Sequence, residues 1–443
     1  MLTPTLTRLN AVAMVVGTII GASIFVQPSE IARHLATPAE ITLVWLACGV
    51  VTLFGALVCA ELASAFPHTG GLYVFLRETF SPLAGFLWGW AMFWSVHSGI
   101  VAAIAMVFAR YSAQFVPVGD AGIRTIAVAT IVGVSALSYA GVRASARAQT
   151  ALTVVKVTAI VGLVVVGLAF AATKPSPEVA DAAAPTAGAS GFLLAMVAGL
   201  FAYGGWHIVT YTAGETMMPA RTIPMALIAG VAVVTACYVA LNEVYLLLLP
   251  IETVRVSTRI AADAADAVAG RGGASFMAAL VMLSSFGGLI GLVLSGPRVY
   301  YSMANDGLAF RWLGRVHPRY QTPANAIVAQ GIWASVLAAT GAYRELFTRV
   351  IYTEWLFFAL MAAGLFVARR GSGYRPTFRT PGYPVVPVLF IAASMAIVVN
   401  QIVRTPVPAL TGLALVALGV PVYYLTGSRL QASGSRKFPN ERS

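Results

Sequence analysis

The sequence predicts an all-α polytopic membrane protein of twelve transmembrane helices, and three observations predict it. Of 443 residues, 59% are hydrophobic and only 10% are charged, against ~25% charged in a soluble globular chain. So few charges cannot cover the surface of a soluble protein of this size, and mean hydropathy is +0.83. The apolar residues gather into runs that match the roughly 20 residues of a bilayer-crossing helix. Two of those runs, the first and the sixth, are interrupted by glycine at corresponding places.

The runs fall near 9–34, 40–66, 82–115, 123–140, 149–172, 190–214, 223–249, 275–303, 323–342, 350–368, 384–402 and 406–426. The first opens after Arg8 with no small-residue cleavage site, so it reads as a retained span and not a removed signal peptide. It contains GTIIGASIF, Gly17 to Phe25. The second holds Cys48 and Cys59, the third His97, the fifth Lys156. The connector 173–189 is rich in Pro and Ala and reads as a flexible linker. The sixth run contains GLFAYGGWH, Gly199 to His207, the seventh Cys237 and Glu243, the eighth FGGLIG from Phe286 to Gly291, the tenth Glu354. The tail 427–443 is polar and reads as disordered. Residues 1–426 therefore form one transmembrane domain.

The net charge is +12. In a membrane chain this points to loop charges that set orientation, not to nucleic acid. An even number of spans puts both termini on one side. Lys and Arg gather in the segments on that side, among them Arg143, Arg147, Arg311, Arg315, Arg319, Arg369 and Arg370, which predicts both ends cytoplasmic. The three cysteines have no disulfide or metal spacing. No GxxxxGK[ST] loop, metal-ligand cluster or nucleophile–base arrangement stands in the sequence, so no cofactor, no metal and no enzyme is expected.

Glycine in a helix interior costs about 1 kcal/mol against alanine. Unwound backbone at membrane depth is tolerated only where it lines a cavity or packs in protein. Paired glycine-interrupted helices in two halves point to an inverted-repeat secondary transporter with its site at the breaks. Around Gly21, Ala22 and Ser23 the freed N–H groups and the following half-helix suit a carboxylate. Carbonyls before that break, and near Phe201 to Gly204, suit an ammonium. Together they describe an α-amino acid zwitterion.

These segments resemble the amino acid–polyamine–organocation (APC) transporters, most closely the L-type amino acid transporter branch and its bacterial permease relatives. GTIIGASIFVQP is similar to that family's first-helix signature, usually GTIIGSGIF, and FAYGGW (Phe201 to Trp206) to its sixth-helix signature. AELASAFPHTGGLYVFL (Ala60 to Leu76), GETMMPARTIPMAL (Gly214 to Leu227), SGPRVYYSMANDGL (Ser295 to Leu308) and HPRYQTPANAI (His317 to Ile327) resemble its loop motifs. The resemblance implies a leucine-transporter-like fold. Two inverted five-helix repeats, about 9–172 and 190–368, carry unwound helices 1 and 6, and two further helices follow at about 384–426.

By position, it implies that Gly21, Ala22 and Ser23 hold the substrate carboxylate. Ile19, Ile20, Phe201, Ala202 and Gly204 would receive the amino group. Phe201 would be a gate and Trp206 a pocket-lining aromatic; ordinary core packing is the alternative for both. Ala22-Ser23 replaces the usual Ser-Gly pair, His207 an asparagine, and Ile290 a polar group. The serine at 23 is expected to crowd the site and favour small side chains.

Lys156 in mid-span is costly and marks a functional site by default. Its ammonium can stand where sodium-coupled relatives of this fold place a cation, bridging Gly17 to Ser284 or Ser285. A fixed charge there would leave an exchanger or uniporter; a releasable proton would couple transport to H⁺. Glu61 and Glu215 read as inner-gate partners of arginines such as Arg221. Glu243 reads as a proton carrier or as a partner of Asn242 or a neighbouring helix. His97 reads as a core or cavity histidine, and His207 as a pH-sensitive pocket residue.

The function expected is secondary active transport of neutral amino acids by alternating access, through exchange or proton-coupled uptake. The alternative is proton-coupled transport of cationic amino acids or polyamines, favoured if Glu243 or Glu354 faces the pocket. A non-transporting intramembrane receptor is the reading from another class. The expected surroundings are membrane lipid in a bacterial inner membrane. No disulfide-linked heavy subunit is expected, because the loop 117–122 has no cysteine.

Overall fold

Thr7 starts the first helix by a capping box. Its hydroxyl accepts from Asn10 N at 3.3 Å, and Asn10 Oδ1 accepts from Thr7 N at 3.1 Å. Thr37 and Glu40 repeat the device 3.3 and 3.1 Å apart at the next long helix. Each box satisfies two of the N–H groups that a helix start leaves without partners. The computed structural model describes residues 2–173, 188–341, 343–404 and 406–432. Nearly all of the 173–189 connector lies outside the described residues.

The helices are α1 (Arg8–Ile19), α2 (Gln27–Arg33), α3 (Pro38–Ala65), α4 (Leu72–Thr79), α5 (Pro82–Ala91), α6 (His97–Ser112), α7 (Asp120–Ala140), α8 (Val142–Ala171), α9 (Ala189–Ala202) and α10 (Pro219–Leu248). Then come α11 (Ile251–Val256), α12 (Ile260–Ala269), α13 (Gly273–Ser295), α14 (Pro297–Asn305), α15 (Ala324–Thr340), α16 (Tyr343–Arg370), α17 (Val385–Arg404), α18 (Pro406–Ala417) and α19 (Gly419–Ala432). A π-helical turn, Met92–Val96, joins α5 to α6, and a 3-10 segment, Trp206–Glu215, follows α9. Among the described residues there is no strand, only an isolated bridge between Leu6 and Thr216.

Ten of the twelve expected runs coincide with helices long and apolar enough to cross a membrane. The chain is thus a polytopic, all-helical membrane protein. The other two are shorter. The ninth run is α15, of 17 residues. The first is divided: α1 ends after 12 residues, a single 3-10 turn spans Ser23–Phe25, and α2 takes over at Gln27. Of the tail 427–443, expected to be disordered, residues 427–432 continue α19 and 433–443 lie outside the described residues. Arg429, Leu430, Gln431 and Ala432 are all good helix formers.

α1 lies at the centre, packed on α8, α10, α13 and the 3-10 segment. Around it α3 packs on α10, α6 on α13, and α7 on α15. Small residues allow the closest approach. A Cβ on Gly17 would stand 2.4 Å from Thr153 Oγ1 of α8, so only glycine admits this crossing, as membrane helix interfaces require. On α8 the valines at 154, 155, 161, 165 and 166 are exposed while Lys156 is fully buried. The apolar face turns to lipid, and Lys156, the charge at mid-span, turns inward.

Candidate functional site

Both interrupted runs break beside each other. After Ile19 the chain leaves the helix, and Gly21 N turns back to Ile19 O at 2.8 Å. Phe25 N and Val26 N donate within the 3-10 turn, but the N–H groups of Ala22, Ser23 and Ile24 donate to no acceptor among the described residues. After Ala202 the second chain bends through Gly205 at φ +97°, a left-handed conformation that favours glycine. A Cβ there would also meet Thr18 O at 3.1 Å. The Thr18 hydroxyl donates to carbonyls of its own helix and lies 3.1 Å from Gly205 O, tying the two breaks together. Gly205, Trp206 and His207 likewise have N–H groups without acceptors among the described residues. Within these segments Ala22, Ser23, Phe201, Gly204 and Gly205 are partly exposed, and their neighbours Gly21 and Ala202 are buried.

Tyr238 on α10, absent from the sequence expectations, spans the gap. Its hydroxyl lies 3.0 Å from Ile19 O and 3.1 Å from Ala202 O. A phenol has one proton to give, so it satisfies one of these carbonyls at a time. Nothing in the sequence distinguishes Tyr238 from an ordinary core aromatic.

Lys156 occupies the other side of the first break. Its Nζ donates to Gly17 O at 3.1 Å, Ile20 O at 2.7 Å and Ser284 O at 3.2 Å. Three protons meet three carbonyls, the full donor capacity of an ammonium. The Ser284 hydroxyl reaches Ile20 O and Gly21 O at 3.1 and 3.2 Å. Ser285 is buried beside it with no hydrogen-bond partner for its hydroxyl. Ile20 O is therefore committed to Lys156 and Ser284. The glycines of FGGLIG let α13 come this close: a Cβ on Gly291 would lie 2.8 Å from Thr18 Cγ2 of α1.

Trp206 is 1% exposed and packs on Phe358 and Phe390 at ring distances of 5.1 and 6.3 Å. Phe201 is half-buried at the end of α9, and its carbonyl accepts from Gly204 N at 3.1 Å. His97 is buried with Nε2 3.0 Å from Leu292 O. Glu243 receives the Thr42 hydroxyl of α3, so its partner is on a neighbouring helix and not Asn242.

Glu61 and Glu215 are both ion-paired, but not with Arg221. Arg369 donates to both Glu61 oxygens at 2.8 and 2.6 Å, joined by Thr380 N at 2.6 Å. Arg298, fully buried, donates to both Glu215 oxygens at 2.8 and 3.0 Å. Bidentate geometry satisfies each carboxylate more completely than a single contact. Burial and the Glu61 carboxylate push the neighbouring Tyr374 phenol well above its ordinary range. The Glu215 carbonyl also accepts from Thr5 N and Leu6 N, both at 2.8 Å, fastening the N-terminal segment to the end of the 3-10 segment. A cavity of about 270 Å³, lined by Phe25, Arg110, Tyr111, Arg259 and Met277 among others, opens beyond the first break.

Similarity to known proteins agrees with this architecture. The sequence profile of the family described as amino acid permease matches residues 6–425. The human cystine/glutamate transporter is 30% identical over 429 residues, covering 95% of this chain and 84% of that one. The serine/threonine exchanger SteT of Bacillus subtilis (strain 168) is 29% identical over 420 residues, covering 94% and 95%. The human b(0,+)-type amino acid transporter 1 is 30% identical over 408 residues, covering 90% and 82%. With a profile that spans nearly the whole sequence and relatives that align end to end, the chain belongs to the amino acid permease family of the APC superfamily and is a membrane transporter of amino acids, not an enzyme.

Proposed function

We propose that the protein carries neutral amino acids by alternating access, through exchange or proton-coupled uptake, with the substrate held between the two breaks. The substrate carboxylate lies against the N–H groups of the Gly21–Ser23 segment, where the positive end of the following half-helix favours an anion. The amino group is received by carbonyls at the helix ends. Of the carbonyls there, Ile20 O is taken by Lys156 and Ser284. Ile19 O, which already accepts from Gly21 N, and Ala202 O share the single proton of Tyr238, so Ala202 O is left for an ammonium when Tyr238 donates to Ile19 O. Phe201 closes over the substrate as a gate. The observation that carries this reading is the meeting of two interrupted helices at Thr18 and Gly205, with unpaired N–H groups on both sides.

Several features support two inverted repeats, 9–172 and 190–368, within a twelve-span fold whose first and sixth spans are unwound. The second, third and fourth spans pack on the seventh, eighth and ninth, in α3 with α10, α6 with α13, and α7 with α15. The fifth and tenth spans behave alike: α8 packs on α10 and α13, and α16 on α3 and α6. α1 and α9 then rock against a scaffold of α6, α7, α13 and α15. The Glu61–Arg369 and Glu215–Arg298 pairs help close the cytoplasmic end. Both termini are cytoplasmic and the membrane is a bacterial inner membrane, as the loop charges favour. No heavy subunit is attached by a disulfide, since Cys48, Cys59 and Cys237 all lie within helices.

Neutral substrates are preferred over cationic ones because Glu354, the buried carboxylate that would draw a cation, already faces His207 at 3.6 Å. Purified protein in proteoliposomes, screened with radiolabelled amino acids with and without unlabelled amino acid inside, tests the reading. Uptake of neutral amino acids is expected. Uptake confined to cationic amino acids or polyamines would overturn the substrate class, and binding without flux would overturn transport.

A further inference from the structure

We propose that His207 and Glu354 form a proton-binding pair that takes up one proton when the site is wet and carries it through the closed state. The proposal rests on the transport reading above and selects proton-coupled uptake within it. The pair joins the 3-10 segment directly after the second break to α16. His207 Nε2 and Glu354 Oε1 are 3.6 Å apart, with side chains 1% and 10% exposed. That is too long for a hydrogen bond, and neither imidazole nitrogen has a hydrogen-bond partner among the described residues. Trp88 Nε1 and the Tyr211 hydroxyl in the same cluster face each other, and neither makes a well-formed hydrogen bond among the described residues. The rings of Trp88, Trp206, Tyr211 and Phe358 surround the imidazole at 4.8–6.0 Å. A native interior seldom leaves so many polar atoms unmet.

Charge accounting fixes what the pair can hold. With one proton it is neutral overall, as imidazole and carboxylic acid or as imidazolium and carboxylate. With none it is a buried anion, and with two a buried cation. Each of those costs several kcal/mol in a closed, low-dielectric site. In the closed site the pair therefore carries one proton, and water must reach it before the proton leaves. The unmet groups of Trp88 and Tyr211 are where such water is held. Because His207 lies two residues past the Gly205 bend, rocking of that segment changes which side wets the pair.

Among the described residues no neighbouring charge supplies an alternative counterion: α1 carries only Arg8, at its opposite end, and α13 carries no titratable side chain. Among elements packed on the 3-10 segment, α3 brings Cys59 and the Arg369-paired Glu61, and α14 brings Tyr300 and the Glu215-paired Arg298. α10 brings Tyr238 and the Thr42-bonded Glu243, and α4 brings Tyr73 and the Asp306-paired Arg77. On α6, which packs on α16, His97 is bonded to Leu292 O. Lys156 is closed by its three carbonyls.

The test compares two fluxes in the same proteoliposomes, using the neutral amino acid that the wild type exchanges fastest. One is counterflow at equal pH; the other is accumulation into empty vesicles driven by an inward proton gradient, with entrapped pyranine reporting proton entry. A carrier that moves one proton per cycle accumulates substrate up to about tenfold per pH unit. Wild type should show this with matching proton entry. Glu354→Gln and His207→Asn should each bring the ratio of driven accumulation to counterflow down to that of a vesicle without a gradient. Wild-type counterflow with no response to the gradient, or a full response in Glu354→Gln, would overturn the pair as a proton site. So would a Glu354→Gln protein that keeps the gradient response but loses cationic substrates, which would make the pair a side-chain subsite. If Glu354→Gln does not yield folded protein, His207→Asn and the wild-type pyranine signal decide alone. Absence of counterflow for every amino acid would instead refute the transport reading.

Discussion

Replacing Lys156 by alanine separates the ammonium's structural part from its mechanistic one. A charge-assisted hydrogen bond contributes ~1.5–3 kcal/mol, so three of them set a ceiling of about 5–9 kcal/mol. The loss is smaller, because the substitution also removes the several kcal/mol cost of burying an ammonium. It depends on which carbonyls are stranded. Ile20 O keeps the Ser284 hydroxyl at 3.1 Å, and Ser284 O lies inside α13, where a helical N–H serves it. Gly17 O has no such support, since Gly21 N turns to Ile19 O instead. One stranded buried acceptor costs ~1–3 kcal/mol, and the folded protein should survive it. Transport should not, because Lys156 is what holds the end of α1 to α13. The expected result is a monodisperse protein in detergent, a modestly lowered melting temperature, and uptake reduced at least tenfold at equal protein amount. The vacated site presents Gly17 O, Ile20 O and Ser284 O, all hard oxygen donors suited to a small cation. Part of the lost uptake should therefore return with sodium or lithium over choline. Uptake at the wild-type rate would refute the reasoning, and wild-type stability with no uptake and no cation effect would refute the stranded-carbonyl account.

Three further outcomes follow from the breaks. Gly205→Ala places a Cβ 3.1 Å from Thr18 O in a left-handed backbone and should cost ~1–3 kcal/mol, lowering both the melting temperature in detergent and uptake; a neutral substitution would mean the two breaks do not touch. Phe201→Ala should slow counterflow several-fold without changing the amount of protein in the membrane, and flux equal to wild type would remove the gate role. Ser23→Gly should extend counterflow to bulkier amino acids if the serine crowds the site, and an unchanged substrate profile would refute that.

What could be read from the sequence was whatever the bilayer makes expensive. A lysine inside an apolar run and glycine clusters at membrane depth each contradict the surrounding composition, so Lys156, Gly17, Gly21 and Gly204 were recognisable before any coordinates. Partners were not. Glu61 meets Arg369, Glu215 meets Arg298 and His207 meets Glu354 across 83 to 308 residues of sequence. No local pattern fixes such a pairing, and Arg221 was as plausible on composition as either arginine. Tyr238 was invisible for the opposite reason. An aromatic in an apolar run is the normal content of a core, and its hydroxyl matters only because two carbonyls end there. Trp206 shows the converse limit, since it stands in a motif at the break and packs into the core.

Unmet polar groups occur in the scaffold as well, at Ser138, Tyr245 and Gln330 among others, but one set of them gathers where the chain is interrupted. Glu61, Glu215 and Lys156 have partners for each charge, with geometry good enough to offset burial. The first two tie the 3-10 segment and α3 to α14 and α16, and Lys156 ties the scaffold side of the first break. The N–H groups of Ala22 to Ile24 and of Gly205 to His207, the imidazole of His207 and the hydroxyl of Tyr211 have no such partners. A carrier needs the second class, because a group already satisfied by protein has nothing to offer a passing substrate, proton or water. All of them lie at the breaks or on the segment that follows the second, where the chain moves in any alternating-access cycle. The cost of leaving them unmet is borne only while the site is empty and closed. On the proposed mechanism an amino acid across the breaks and a proton on the His207–Glu354 pair would each lower that cost and favour the closed state, and two ligands that stabilise one state bind cooperatively by linkage. Coupling of substrate to proton then needs no contact between them, only the shared movement of the segment from Gly204 to Glu215.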